Sequence, residues 1–271
     1  MEKIKQLRNK TGAGIADCKK ALDEADGDIE KAVELLRKKG IAKAAKRGDR
    51  EASEGIIKVD VNADNNEGYI LEINSETDFV ARNEKFQNLA DKILEIVKTE
   101  KPSDLEELMG ADMESGSVKE NLETLSGTIG EKLDVKKFDI LSSSGIVAAY
   151  SHMGGRIGVL AALSNGRDEA LPRLRDLARD IAMHIAAANP KYISPEDVPE
   201  EEINKEKEIY AEQLKKEGKP DNIIEKILEG KINKYFEEVC LIKQEYIKDD
   251  KKKVEDVLGD VKIEKFIRYS L

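Results

Sequence analysis

Tryptophan is absent from this chain of 271 residues, and five Phe with seven Tyr make up all of its aromatic side chains. A core of any size must therefore be built from aliphatic residues. Histidine occurs twice and cysteine twice. Cys18 and Cys240 lie far apart in the chain at apolar helical positions, which predicts small buried thiols and neither a disulfide nor a metal site. No apolar run approaches the ~18 residues needed to cross a bilayer. The start, Met1-Glu2-Lys3-Ile4, lacks the apolar centre of a signal peptide, so a cytoplasmic protein with no membrane partner is expected.

Known site motifs are missing as well. The sequence contains no G-x-x-x-x-G-K-[ST], no G-x-G-x-x-G after a strand, no H-E-x-x-H and no C-x-x-C. Asp60, Asn62 and Asp64 imitate the start of a calcium loop, but Asn65 stands where that loop needs glycine and Leu71 where it needs a bidentate glutamate. Neither His152 nor His184 sits beside a serine or cysteine that would make a nucleophile pair. No catalytic residue, metal ligand or cofactor site is expected, although a carboxylate-pair hydrolase stays open among 56 acidic residues.

What the chain has in excess is charge. Charged residues reach 38% against a usual ~25%. With 46 basic and 56 acidic residues the net charge is -10. A protein so acidic is a poor nucleic-acid binder, and a protein or small-molecule partner is the better expectation.

Apolar periodicity gives an α+β organisation. Residues 1–50 read as a three-helix module followed by a basic tether: Ile4, Leu7 and Thr11, then Ile15, Cys18, Leu22 and Ala25, then Ile29, Ala32, Val33 and Leu36 keep helical spacing. Gly27 and Gly40 are read as helix ends and Asp28 as a cap. Lys43, Lys46, Arg47 and Arg50 are read as a solvated linker. From residue 51 to 142 a first core subdomain is expected. Ile57, Val59 and Val61 form one strand and Tyr69, Leu71 and Ile73 its hairpin partner, followed by a helix through Phe86, Leu89, Ala90, Ile93, Leu94 and Val97. A further helix through Val118, Leu122, Leu125 and Ile129 and a strand over Phe138 to Leu141 complete it.

Residues 143–271 repeat that order. Two apolar runs, Ile146 to Tyr150 and Ile157 to Leu163, join across Gly154-Gly155 and lead into a helix through Leu171, Leu174, Leu177, Ala178, Ile181 and Ile185, which suggests an internal duplication. Within about 196–239 the apolar stripe thins around Gly218-Lys219-Pro220, as in an antiparallel helical hairpin that projects from the body. Phe266 to Leu271 reads as a returning strand. His184 is expected to be a partly buried helix residue. His152 with Met153-Gly154-Gly155-Arg156 is expected to form an exposed turn that docks on a partner, because glycines allow close backbone approach.

One segment is unusual. Ser75-Glu76-Thr77-Asp78-Phe79-Val80-Ala81-Arg82-Asn83-Glu84 leaves a strand and opens a helix with a phenylalanine between charged neighbours. As plain structure, Ser75 or Thr77 would cap the helix, Asp78 would offset its dipole and Phe79 would pack inward as a staple. The second copy makes the same passage through Ser164-Asn165-Gly166-Arg167-Asp168 without such a motif.

At this point the sequence resembles the bacterial elongation factor Ts family. The resemblance extends over the chain and rests on Thr11-Gly-Ala-Gly-Ile-Ala-Asp-Cys-Lys-Lys-Ala-Leu22, Thr77-Asp-Phe-Val-Ala-Arg82, Gly155-Arg-Ile-Gly-Val-Leu160 and His184-Ile-Ala-Ala-Ala-Asn-Pro190. It implies a ubiquitin-associated-like N-terminal module, two related α+β core subdomains and an inserted helical hairpin. It further implies a guanine nucleotide exchange factor, not an enzyme, whose partner is the translational GTPase elongation factor Tu. In such a protein Asp78 and Phe79, flanked by Thr77 and Val80, press near the GTPase's magnesium site as a wedge. Ile15-Ala16 stands where some members carry a larger pair that touches the partner. A scaffold protein recognising its partner through the N-terminal module, with the hairpin joining two copies as a homodimer, is the alternative from another class.

Overall fold

The computed structural model describes residues 1–45, 47–164, 171–218 and 220–271. Lys46, the Asn165 to Asp168 passage, Lys219 and the side chains of Lys43 and Leu171 lie outside the described residues. Three helices open the chain: α1 (Glu2–Thr11), α2 (Ile15–Glu24) and α3 (Ile29–Ala45). Gly12, left-handed at φ 72°, ends α1, and Asp28 accepts from the amides of Glu30 and Lys31 to begin α3. Leu7, Cys18, Ala21, Leu22 and Ala32 bury the shared core. Gly40, read above as a helix end, is inside α3. The reason lies across the interface, where Gly40 faces Gly127 so closely that a Cβ on Gly127 would sit 2.3 Å from Gly40 Cα.

Next come β1 (Glu54–Val61), β2 (Glu67–Ser75), the single turn α4 (Asp78–Ala81) and α5 (Glu84–Glu100). Then follow α6 (Leu105–Gly110), a small ribbon of β3 (Asp112–Met113) and β4 (Gly116–Ser117), α7 (Val118–Ile129) and β5 (Leu133–Ser142). α7 starts from a capping box between Ser117 and Glu120. Sequence periodicity missed α4, α6 and the ribbon, each too short to show a period.

The second half holds β6 (Ile146–His152), β7 (Ile157–Ser164), α8 (Leu171–Ala188), α9 (Glu200–Lys216) and α10 (Asp221–Val239). A ribbon of β8 (Glu245–Tyr246) and β9 (Asp249–Lys253), α11 (Val254–Leu258) and β10 (Lys262–Ser270) close it. α8 ends at Asn189, whose φ of 49° stops the helix before Pro190. At the base of the α9/α10 pair, the hydroxyls of Tyr192 and Tyr235 both donate to the Glu202 carboxylate, which ties the end of α10 to the beginning of α9. The two helices are therefore antiparallel.

Two three-stranded antiparallel sheets result, ordered β1-β2-β5 and β10-β7-β6. In each, the second strand of a hairpin is central and a later strand returns to pair with it. The sheets pack face to face through Ile57, Ile70, Leu141, Val147, Leu160, Ala162 and Tyr269. Phe86, Ile93 and Val97 of α5 cover the outer face of the first sheet with Leu71 and Ile73, and Leu174, Ile181 and Ile185 of α8 cover that of the second. Every fully buried Leu, Ile or Phe in these layers contributes roughly 1.5–3 kcal/mol.

Candidate partner-binding site

The passage from β2 to α4 is built by its caps. Thr77 is the N-cap of α4, with its hydroxyl oxygen 3.5 Å from the Val80 amide. The same hydroxyl donates to Glu131 Oε1 at 2.8 Å while the Thr77 amide donates to Glu131 Oε2 at 3.0 Å. Ser75 Oγ donates to the Thr77 carbonyl at 3.0 Å. Asp78 stands in the first turn and pairs with Arg82 at 2.9 Å. Val80 and Ala81 turn inward and are buried. Gln87 Nε2 then donates to the Ala81 carbonyl, and Asn83 caps α5.

Phe79 goes the other way. It is 80% exposed, more than any other described large hydrophobic residue apart from Met1. The capping role of Thr77 and the first-turn place of Asp78 thus agree with the sequence reading, whereas an inward staple at Phe79 is excluded. A helix of four residues has one side for packing. Val80 and Ala81 occupy it, so Phe79 must face solvent.

Met153, at the β6–β7 turn, is 67% exposed with φ 51°, and His152 is exposed with its Nδ1 3.2 Å from the Tyr150 hydroxyl. Gly154 is exposed at φ 67°. Gly155 is not available to a partner. It is buried at φ 93°, its carbonyl accepts from the Ile57 amide at 2.7 Å, and a Cβ would lie 2.6 Å from Ile56 Cγ1. Its glycine character serves the approach of the two sheets, as does that of Gly158, where a Cβ would meet Ile57 Cγ2 at 2.4 Å. Arg156 is paired with Glu54 at 2.7 Å.

These pieces share one end of the molecule. Glu54 lies opposite Ser75 in the first sheet, so the Arg156 pair ties the 153–156 turn to the strand that runs into α4. Ile15, 59% exposed, and the exposed Ala16 open α2 just after a turn whose Gly12 abuts Lys85 in the first turn of α5. The supposed tether is also fixed here, because Arg50 pairs with Glu76 at 3.2 Å and Arg47 donates to the Ser126 carbonyl at 3.2 Å. Glu76 accepts from the Lys132 amide at 2.6 Å. That bond, with Arg50 beside it, holds the Glu76 carboxyl below the usual carboxylate range.

Sequence reading missed Glu131, Glu76 and Arg50 as supports of the motif. The Thr77–Glu131 contact spans 54 residues, and no local spacing signals it. The described residues contain no group of three or more His, Cys, Asp or Glu able to hold a metal, and no described helix is long and apolar enough to cross a membrane. Cys18 and Cys240 are free and buried, and burial pushes the Cys240 thiol up to about 11, well away from a reactive thiolate.

Comparison with known proteins bears on the family of the chain. A family model described as Elongation factor TS matches residues 76–271, beginning at the residue before the Thr77 cap and running to the last strand. Elongation factor Ts of a Nitratiruptor species is 49% identical over 278 aligned positions, which take in 99% of this chain and 91% of that protein. A likeness of that extent runs through both sheets, the exposed Phe79 turn and the N-terminal helices alike, and the chain belongs to the elongation factor Ts family.

Proposed function

We propose that this protein is the guanine nucleotide exchange factor of elongation factor Tu, and that Asp78 and Phe79, between Thr77 and Val80, are the part that enters the GTPase near its magnesium and phosphate site. The observation that carries this reading is Phe79, a large apolar side chain left 80% exposed on a turn whose other residues are capped, paired or buried. Exposing such a side chain gains nothing for the free protein, whereas an aromatic residue that enters a partner's pocket is the typical anchor of an interface. Ile15, Ala16, His152, Met153, Gly154 and Arg156 are read as flanking contacts at the same end.

Exchange of this kind makes and breaks no covalent bond. It requires a protein that binds the nucleotide-free GTPase more tightly than the loaded one, and reciprocity then demands that GDP weaken the factor's binding by the factor by which it is itself weakened. Magnesium is the largest positive charge near the nucleotide phosphates, so a wedge that disturbs it leaves those phosphates poorly compensated.

The test is stopped-flow release of fluorescent GDP from elongation factor Tu. Phe79→Ala is expected to slow stimulated release about ten-fold or more, as loss of an interface anchor does. Its stability should stay within about 0.5 kcal/mol of wild type, as expected for an exposed position. Release at the wild-type rate would overturn the reading. Chelating magnesium should shrink the deficit of Phe79→Ala, and an unchanged deficit would reject the magnesium part of it.

A further inference from the structure

We propose that Glu131 is a positioning residue for this exchange motif: from the loop between α7 and β5 its carboxylate fixes the single turn that carries Phe79, without itself meeting the partner. The inference rests on the exchange reading above and adds to it the group that holds the wedge in place.

A four-residue helix cannot persist by its own hydrogen bonds, because the first turn fixes several dihedral angles for one bond. Phe79 cannot hold it either, since that side chain packs against almost nothing. Val80 and Ala81 pack the inner side of the turn against the core, and at its outer end Thr77 sends both of its donors to the two oxygens of Glu131 at 2.8 and 3.0 Å. Donation of the hydroxyl hydrogen to Glu131 leaves the hydroxyl oxygen's lone pairs for the Val80 amide, so the carboxylate also sets the cap.

Glu131 is itself held. Gly130 turns the chain at φ 94°, and the buried Ser126 donates to the Glu131 carbonyl at 2.6 Å. The neighbouring residues return the exchange, with Glu76 accepting from the Lys132 amide at 2.6 Å. Each loop thus supplies one carboxylate and one backbone amide to the other. Two charge-assisted links side by side resist rotation of α4 better than either alone. Without them the partner would have to order the turn as it binds, and that cost would be subtracted from the binding that drives exchange.

Stimulated release of fluorescent GDP, measured well below the thermal midpoint over a range of factor concentrations, tests this in wild type, Glu131→Ala, Glu131→Gln, Thr77→Ser, Phe79→Ala and the Phe79→Ala/Glu131→Ala double variant. Glu131→Ala should weaken stimulation about five- to ten-fold, as loss of charge-assisted hydrogen bonds does. Glu131→Gln, whose amide oxygen still accepts from Thr77, should fall between it and wild type, and Thr77→Ser should retain most activity. In the Phe79→Ala background the change at Glu131 should cost no further exchange activity, while lowering the thermal midpoint as much as it does alone. A merely structural role would lower activity equally in both backgrounds, and that result overturns the proposal. So does full activity of Glu131→Ala while Phe79→Ala is slow, which leaves the exchange reading standing. Full activity of Phe79→Ala overturns that reading first and the role of Glu131 with it.

Discussion

His184 shows how one buried residue sets a property of the whole chain. It is fully buried on α8, accepts from the Ile247 amide at Nδ1 (3.3 Å) and lies 3.0 Å from Gln244 Oε1 at Nε2. The neutral ring with hydrogen on Nε2 satisfies both contacts, and a second proton would set Nδ1 against the Ile247 donor. Burial holds its pKa below the ordinary 6.5, against a smaller opposing effect of Gln244. Around it, Tyr246 stacks on the ring and donates to Asp180, which also pairs with Lys248. Because the folded value is depressed, the unfolded chain takes up more protons below pH 6.5. The contribution of His184 is fully present above 6.5 and is lost as pH falls through the folded value. Thermal midpoints should therefore decline between pH 7.5 and 5, with His184 contributing to the fall. His184→Gln should be less stable at pH 7.5 and show a shallower decline. An equal decline in the variant would place the titrating group elsewhere.

Among the elements, the crossing of α3 over α7 is the clearest case of structure that sequence patterns conceal. Gly40 reads in sequence as a helix end, yet it lies inside α3 opposite Gly127 inside α7, and the pair lets the two axes approach. Gly127→Ala places a Cβ 2.3 Å from Gly40 Cα and 2.7 Å from Gly40 O, against backbone that has no side chain to move aside, so the helices must separate. A loss of about 1–3 kcal/mol is expected, as in overpacked cores. Gly230 in α10 has nothing within 4 Å of such a Cβ, and Gly230→Ala should stabilise by up to about 1 kcal/mol through helix propensity. Denaturant melts of the two variants should move in opposite directions. The strands were more legible. Ile57, Val59 and Val61 alternate on β1, and Tyr69, Leu71 and Ile73 on β2, as periodicity of two predicts. Pattern alone did not disclose that the first set faces the second sheet and the other the helices, because register across the hairpin, Ile57 opposite Glu72 and Val59 opposite Ile70, decides the side. The proposed wedge stands out in the sequence as an anomaly at Phe79, but the groups that hold its turn, Glu131 and Arg50, come from other elements and carry no local signature.

At the scale of the molecule, the N-terminal helices are joined to the rest by more than a linker. α3 lies along α7, Arg37 pairs with Glu120, and the segment after α3 contributes Arg47 to the Ser126 carbonyl and Arg50 to Glu76. Ser126 and Glu76 are the residues that bond the Glu131–Lys132 loop, so residues 47–50 brace the same loop that holds Thr77. Removing the module therefore has two separable consequences. A chain beginning at residue 47 loses the α3–α7 contact and whatever affinity Ile15 and Ala16 supply, but keeps both arginines. A chain beginning at residue 51 loses the arginines too. If the module were an independent domain on a free tether, the two truncations would behave alike, both folded and both weakened only in affinity. The bracing predicts a difference: both bind elongation factor Tu more weakly than the full chain by calorimetry, and the shorter one also has a lower thermal midpoint and a lower rate of GDP release at saturating concentration. Arg50→Ala in the full chain should reproduce part of that lower rate without the loss of affinity due to the module. Identical saturating rates for the two truncations would show that residues 47–50 are a spacer and that the exchange site is complete without them.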